Sequence, residues 1–283
     1  MALPIEEYAV IGDRRTAALV GSDGSVDWLC LPHFDSSACF AALLGTEEHG
    51  RWQLCPVDDY EVERRYVDGS AVLETTFTTA GGVVSLTDLM PRGDGRADVV
   101  RRVAGVRGTV RMRHEWRVRF DYGAILPWVR RQTVHGEAVI TAVAGPDQLV
   151  LRGPRLPTAD DHRHVDEFDV VEGATLTFST TWLHSHAPLD SIGPDEDRQD
   201  AVEVMVRDGS SWLGQCRGDL PHADVVRRSL LTLRLLTDEQ TGGIVAAPTT
   251  SLPEDPGGER NWDYRYCWLR DAALTLDSLL QAG

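Results

Sequence analysis

Between residues 110 and 120 apolar and charged side chains alternate without a break. Val110, Met112, His114, Trp116, Val118 and Phe120 fall on one side, and Arg111, Arg113, Glu115, Arg117 and Arg119 on the other. A period of two with one wholly charged face predicts a strand buried on one side. Shorter runs bounded by turn residues repeat the theme. Residues 16–21 and 26–31 flank Ser22-Asp23-Gly24-Ser25, whose Asp-Gly pair signals a tight hairpin. Residues 71–78 and 83–89 flank a turn at Ala80-Gly81-Gly82, and further strands are predicted over 128–135, 137–144, 148–152 and 174–183. So many antiparallel segments separated by turns predict a β-sandwich.

The period changes after Pro188. Residues 191–200 are acidic and turn-rich, which suits a linker. A helix is predicted over 201–213, and a stronger one over 224–236. In the second, Val226, Leu230 and Leu233 form a stripe that Leu231 and Leu235 widen, implying burial on more than one side. After a turn at Gly242-Gly243 comes a Pro- and Gly-rich stretch over 244–261. A last helix begins near Trp268, with a stripe of Leu269, Ala273, Leu276 and Leu280. Helices this few, with faces this wide, cannot bury themselves against one another. The helical part is therefore expected to be incomplete, its missing surface supplied by further chain or by a partner, a homo-oligomer being one such arrangement.

Composition narrows the function. At 42% hydrophobic, 283 residues can build one large core or two smaller ones. A net charge of −16 argues against nucleic acid and anionic membranes as partners and is compatible with a neutral substrate such as a sugar. All 28 basic residues are arginines. The N-terminus shows neither a basic segment nor an apolar run of the signal-peptide kind, and no window approaches the roughly 18 apolar residues of a membrane span. The five cysteines are scattered, with no CxxC pair. Reduced, mostly buried thiols and a cytoplasmic location are the expectation.

The chemistry concentrates in residues 257–272, where Trp262, Tyr264, Tyr266 and Trp268 stand among Glu259, Arg260, Asp263, Arg265, Arg270 and Asp271. Aromatic faces stack on the C–H faces of pyranose rings, while Asp and Arg clamp neighbouring hydroxyls with charge-assisted hydrogen bonds. The plainer alternative is that the aromatics are core and the charges ion pairs. Other constellations are weak. His162-x-His164 and His184-x-His186 each pair two imidazoles but offer no third ligand, so solvated histidines are expected and no metal. The glycine pairs lack a dinucleotide-binding context, and nothing calls for a cofactor.

Two long blocks make the chain resemble glycoside hydrolase family 15, the glucoamylase-like enzymes, and in particular the bacterial branch that includes trehalases. The first runs from Ile5-Glu6-Glu7-Tyr8 and Ile11-Gly12-Asp13 through Thr16–Gly21 and Asp23–Pro32 to Phe34-Asp35-Ser36. The second runs from Ala246-Ala247-Pro248 into the 258–272 stretch, with Phe120-Asp121-Tyr122-Gly123 fitting between them. The resemblance implies a β-rich N-terminal supersandwich over 1–190, a helical linker over 191–218, and the truncated start of an (α/α)6 barrel over 219–283. It implies removal of a non-reducing-end glucose with inversion, from trehalose or an α-linked glucan. Arg270 and Asp271 would grip the innermost sugar, with Tyr264 and Trp268 lining the pocket. The family's catalytic glutamates come from later barrel loops, so no catalytic residue is assigned within these 283 residues, and the chain alone is expected to be inactive. The rival reading is a non-catalytic scaffold or glycan-binding module. On either reading the arginines of 111–119 are expected to form a solvated face or a contact surface for the barrel.

Overall fold

The computed structural model describes residues 2–92, 96–193, 200–219, 221–250 and 260–283. Fifteen strands come first: β1 (Tyr8–Gly12), β2 (Ala17–Gly21), β3 (Ser25–Cys30), β4 (Ala38–Phe40), β5 (Arg51–Pro56), β6 (Tyr60–Tyr66), β7 (Leu73–Thr79), β8 (Gly82–Leu89), β9 (Ala97–Arg117), β10 (Trp128–Val134), β11 (Glu137–Ala144), β12 (Asp147–Arg152), β13 (Thr158–Asp160), β14 (Arg163–Val171) and β15 (Thr175–His184). Three α-helices follow among the described residues, α1 (Ala201–Leu213), α2 (Ala223–Leu235) and α3 (Leu269–Ala282). The result is a large antiparallel β-rich domain with few helices. The linker expected over 191–200 falls largely outside the described residues, as do 251–259 of the Pro- and Gly-rich stretch.

Strand β9 organises the domain. Its first half pairs with β8 and β15, its second half with β5 and β14. One set of ladders therefore runs β1-β2-β3-β5-β9-β14-β13 and the other β6-β7-β8-β9-β15-β12-β11-β10, with β9 common to both. The handover lies near Gly105, where the backbone of β14's end approaches closely. A Cβ there would stand 2.1 Å from the Val171 carbonyl oxygen, so only glycine fits. The predicted hairpin at Asp23-Gly24 joins β2 to β3, with Gly24 in the left-handed region (φ +73°) and Asp23 Oδ1 accepting from Ser25 N at 3.1 Å. A single core draws on both sets of ladders, from Val20, Leu29, Trp52 and Met112 to Phe77, Leu86, Leu149 and Phe178.

The alternation at 110–120 is a strand as far as Arg117, where β9 ends, but its charged side is not uniformly solvated. Arg111 and Arg113 are exposed and pair with Glu167 across the ladder. Glu115, Arg117 and Arg119 are buried. The 47–49 turn and the neighbouring strands cover them: Arg117 contacts Glu48 and Glu115, Arg51 pairs with Glu115 at 3.2 Å, and Arg119 Nη1 donates to the carbonyls of Val118 and His162. A second buried ion pair lies in the first half of β9. Arg101 and Asp88 face each other across the β8–β9 ladder, both fully buried, with Arg101 Nε 2.8 Å from Asp88 Oδ1.

The helices dock on the β-rich domain rather than only on each other. Ala201 and Met205 of α1 pack against Val72, Leu89 and Val100. Leu235 of α2 packs with Ala17, Phe34 and Val245, and Arg228 lies 4.0 Å over the Tyr66 ring while donating to Ser70 O. Helix α3 differs. Of its predicted stripe, Leu269, Leu276 and Leu280 are 88%, 52% and 80% exposed, and the side chains buried on it are Thr275 and Ala282. Among the described residues nothing covers those leucines.

Candidate functional site

The aromatic-rich segment reaches α3 through an isolated bridge at Asp263 and a bend at Arg265 and Tyr266. Tyr264 O and Tyr266 O accept from Ala247 N and Ala246 N, which aligns the segment beside residues 246–247. Arg265, the residue between the two tyrosines, is buried, while Tyr264 is half-buried and Tyr266 exposed.

Tyr264 and Trp268 meet edge to face, with ring centroids 5.2 Å apart and planes at 64°. Trp268 Nε1 donates to Asp263 O at 3.0 Å, and Trp262 abuts the same indole at 6.3 Å. Arg270 and Asp271 lie in the first turn of α3 and hydrogen-bond to each other at 3.3 Å, with side chains 72% and 31% exposed. The four predicted sugar contacts thus stand in one short stretch of chain. A ring corner of two aromatics followed by an accessible donor–acceptor pair has the makings of a pyranose grip: apolar faces for C–H bonds, and a charged pair able to exchange its mutual bond for hydroxyls.

Behind this surface lies a residue that sequence reasoning passed over. The Arg265 guanidinium holds Asp263 through Nε (3.0 Å) and Nη2 (2.7 Å), while Nη1 donates to Ser36 O (2.7 Å), Phe34 O (3.3 Å) and Cys30 Sγ (3.4 Å). Its face lies 5.5 Å over the Tyr122 ring. Burial favours the neutral form of Asp263, and the bonds from Arg265 override it, holding that carboxyl below its usual range. Burial pushes the neighbouring Cys30 thiol up to about 12, against the pull of Arg265, so it stays protonated. Trp28 completes the contact, donating from Nε1 to Pro248 O at 2.9 Å and lying 6.2 Å from Tyr122. The three segments that carried the family resemblance, around Trp28, Tyr122 and Arg265, therefore converge in space.

The paired histidines do not build a second site. His162 lies in a turn and His164 on β14, while His184 and His186 stack at 5.2 Å beside Trp182. Among the described residues no group of three His, Cys, Asp or Glu side chains is placed to hold a metal ion.

Comparison with known proteins agrees with this placement of elements. The model of the family "Trehalase-like, N-terminal" matches residues 1–172. The chain belongs to that family. The model of glycosyl hydrolases family 15 matches residues 221–283, the part that holds the aromatic segment and α3. Trehalases of Mycolicibacterium smegmatis and Thermoplasma volcanium are each 32% identical to this chain over 99% of it, and that of Mycobacterium tuberculosis is equally similar. The chain spans 45% of the M. smegmatis protein, 45% of the T. volcanium protein and 44% of the M. tuberculosis protein, so it covers under half the length of the curated relatives it matches. A crystal structure of a bacterial glucoamylase complexed with acarbose shares the fold, with a TM-score of 0.68 over 100% of this chain and 49% of that one, at 10% identity. No helix among the described residues is long and apolar enough to cross a membrane.

Proposed function

We propose that this chain forms the N-terminal portion of a cytoplasmic, inverting, exo-acting α-glucoside hydrolase whose substrate is trehalose. On this reading residues 1–190 are the supersandwich, 191–218 the helical linker and 219–283 the opening of an (α/α)6 barrel. What supports the proposal is the edge-to-face corner of Tyr264 and Trp268 and, in the first turn of α3, the accessible Arg270–Asp271 pair, both inside the stretch matched by the hydrolase model. The names of the relatives favour trehalose over α-1,4- or α-1,6-linked glucans. The uncovered leucines of α3 fit a surface on which further barrel helices would pack.

In the proposed reaction Trp268 and Tyr264 take the C–H face of the terminal glucose, Asp271 accepts from its hydroxyls and Arg270 donates beside it. Inversion requires an acid at the leaving oxygen and a base on a water across the ring, roughly 6.5–9.5 Å away. Asp263 is unsuited to either role, being locked to Arg265. Both roles fall to later barrel loops, and the chain by itself is expected to release no glucose.

The product anomers test the proposal. Inverting hydrolysis of α,α-trehalose by the whole enzyme yields one β-glucose from the attacked ring and one α-glucose from the leaving ring. Proton NMR in the first turnovers should show the two anomers in equal amounts. Two α-glucoses would contradict inversion, and absence of glucose would contradict the substrate.

A further inference from the structure

Building on the sugar-site reading, we infer that Arg265 is a positioning residue through which the β-rich domain sets the angle of the Tyr264–Trp268 corner. The geometry is a relay with two ends. At one end three acceptors of the β-rich domain, Ser36 O, Phe34 O and Cys30 Sγ, take Arg265 Nη1, and the Tyr122 ring lies under the guanidinium. At the other end Nε and Nη2 grip both oxygens of Asp263, and the backbone carbonyl of that same Asp263 receives the Trp268 indole N–H. A change in the first grip therefore reaches the indole through one residue.

The platform at the β-rich end is itself held in an unusual shape. Asp121 and Tyr122 both adopt left-handed backbone (φ +51° and +57°), which costs free energy in residues with side chains. Those angles present the Tyr122 ring simultaneously to Trp28 and to Arg265. Trp28 in turn donates to Pro248 O, next to Ala246 and Ala247, whose N–H groups donate to the carbonyls of Tyr266 and Tyr264. Two independent links thus tie the same loop to the same wall. Arginine suits the post because its planar fork serves a carboxylate and several carbonyls at fixed angles, which a lysine point charge does not. Arg265 touches no sugar on this account; it acts through Asp263.

The test pairs a local probe with kinetics. The 283-residue chain is labelled with 5-fluorotryptophan and the Trp268 resonance assigned from a Trp268→Phe spectrum. Arg265→Met, Arg265→Lys and Asp263→Asn are each expected to shift or broaden that resonance, and lysine is not expected to rescue it. In the whole enzyme the same variants are expected to raise KM for trehalose about tenfold or more, since misplacement by about 1 Å is enough to cost that much. A merely structural role would instead lower kcat with the folded fraction and leave KM alone. Should Arg265→Met fail to fold, Arg265→Lys and Asp263→Asn carry the same comparison. A Trp268 resonance unmoved in the folded variants overturns the inference. A shifted resonance with unchanged KM retains the relay but overturns the sugar-site reading, so the two failures are distinguishable.

Discussion

Replacing Arg101 by methionine removes the charge from the centre of the β-rich domain while keeping an aliphatic side chain of comparable reach. Arg101 donates to Asp88 Oδ1 (2.8 Å) and Oδ2 (3.3 Å), to Trp52 O (2.6 Å) and to Gly24 O (2.7 Å), and its guanidinium lies 5.2 Å over the Trp52 ring. Both members of the pair are fully buried, so water cannot take the place of the lost donors. Breaking a buried pair from one side costs about 3–5 kcal/mol, because the remaining charge is uncompensated. The two orphaned carbonyls, Trp52 O and Gly24 O, add to that cost. Guanidinium unfolding followed by tryptophan fluorescence measures the loss, since Trp52 reports from the site. Asp88→Leu in the Arg101→Met background should recover most of the loss, giving a coupling of about 3 kcal/mol in the cycle. A loss under about 1 kcal/mol, the range of exposed pairs, or a double variant no better than the single, would refute the reasoning.

Two further predictions concern pH. Asp13 is buried, accepts from Arg15 N and Thr16 N through one oxygen, and has its carboxyl pushed up by burial from 3.8 to about 6. The folded state then holds the proton longer than the unfolded chain, so this group lowers stability progressively as pH rises from about 4 to about 6, by about 3 kcal/mol in full. Asp13→Asn should therefore raise the melting temperature at pH 7.5 and change it little at pH 4; equal effects at both would count against the account. His114 works in the opposite sense. Burial, aided by the nearby Arg101 charge, holds its pKa down at about 3, and Nε2 accepts from Trp52 Nε1 at 2.9 Å. Its contribution is intact above about 6.5 and is lost as pH falls towards 3, by up to about 1.4 kcal/mol per pH unit. His114→Gln should flatten that acid limb of a melting curve series, and an unchanged limb would show that His114 does not cause it.

Much of the fold was legible where local chemistry and burial agree. The strand over most of 110–120, the Asp23-Gly24 hairpin and the helix over 201–213 appear as read. The first half of β9 was not visible because Asp98 and Arg101, both buried, interrupt any apolar pattern that residues 97–104 would otherwise show. Strand β5 was missed for a related reason. Its Trp52, Gln53, Leu54 and Cys55 are all buried, so both faces are covered and no alternation survives. Of the two expectations for the arginines of 111–119, a solvated face or a contact surface for the barrel, solvation holds for Arg111 and Arg113 alone, since partners such as Glu48 and Arg51 come from distant segments. The candidate sugar contacts were legible as a motif. The role of Arg265 was not, because its β-rich partners lie 229 to 235 positions away in the chain, and no local pattern encodes such a meeting.

The central claim is that the start of α3 grips a terminal glucose, and Asp271→Asn tests it most directly. The substitution keeps the size of the side chain and removes the charge that would accept from sugar hydroxyls. Leaving the partner groups of a charged hydrogen bond unpaired costs about 2–5 kcal/mol, and each factor of ten in rate corresponds to about 1.4 kcal/mol. Glucose release from trehalose by the whole enzyme should fall at least tenfold in kcat/KM. The melting temperature should hardly move, because Asp271 is partly exposed and its hydrogen bond is to Arg270, itself largely exposed. A large loss of stability with normal kcat/KM in the protein that remains folded would make Asp271 a packing residue and contradict the account.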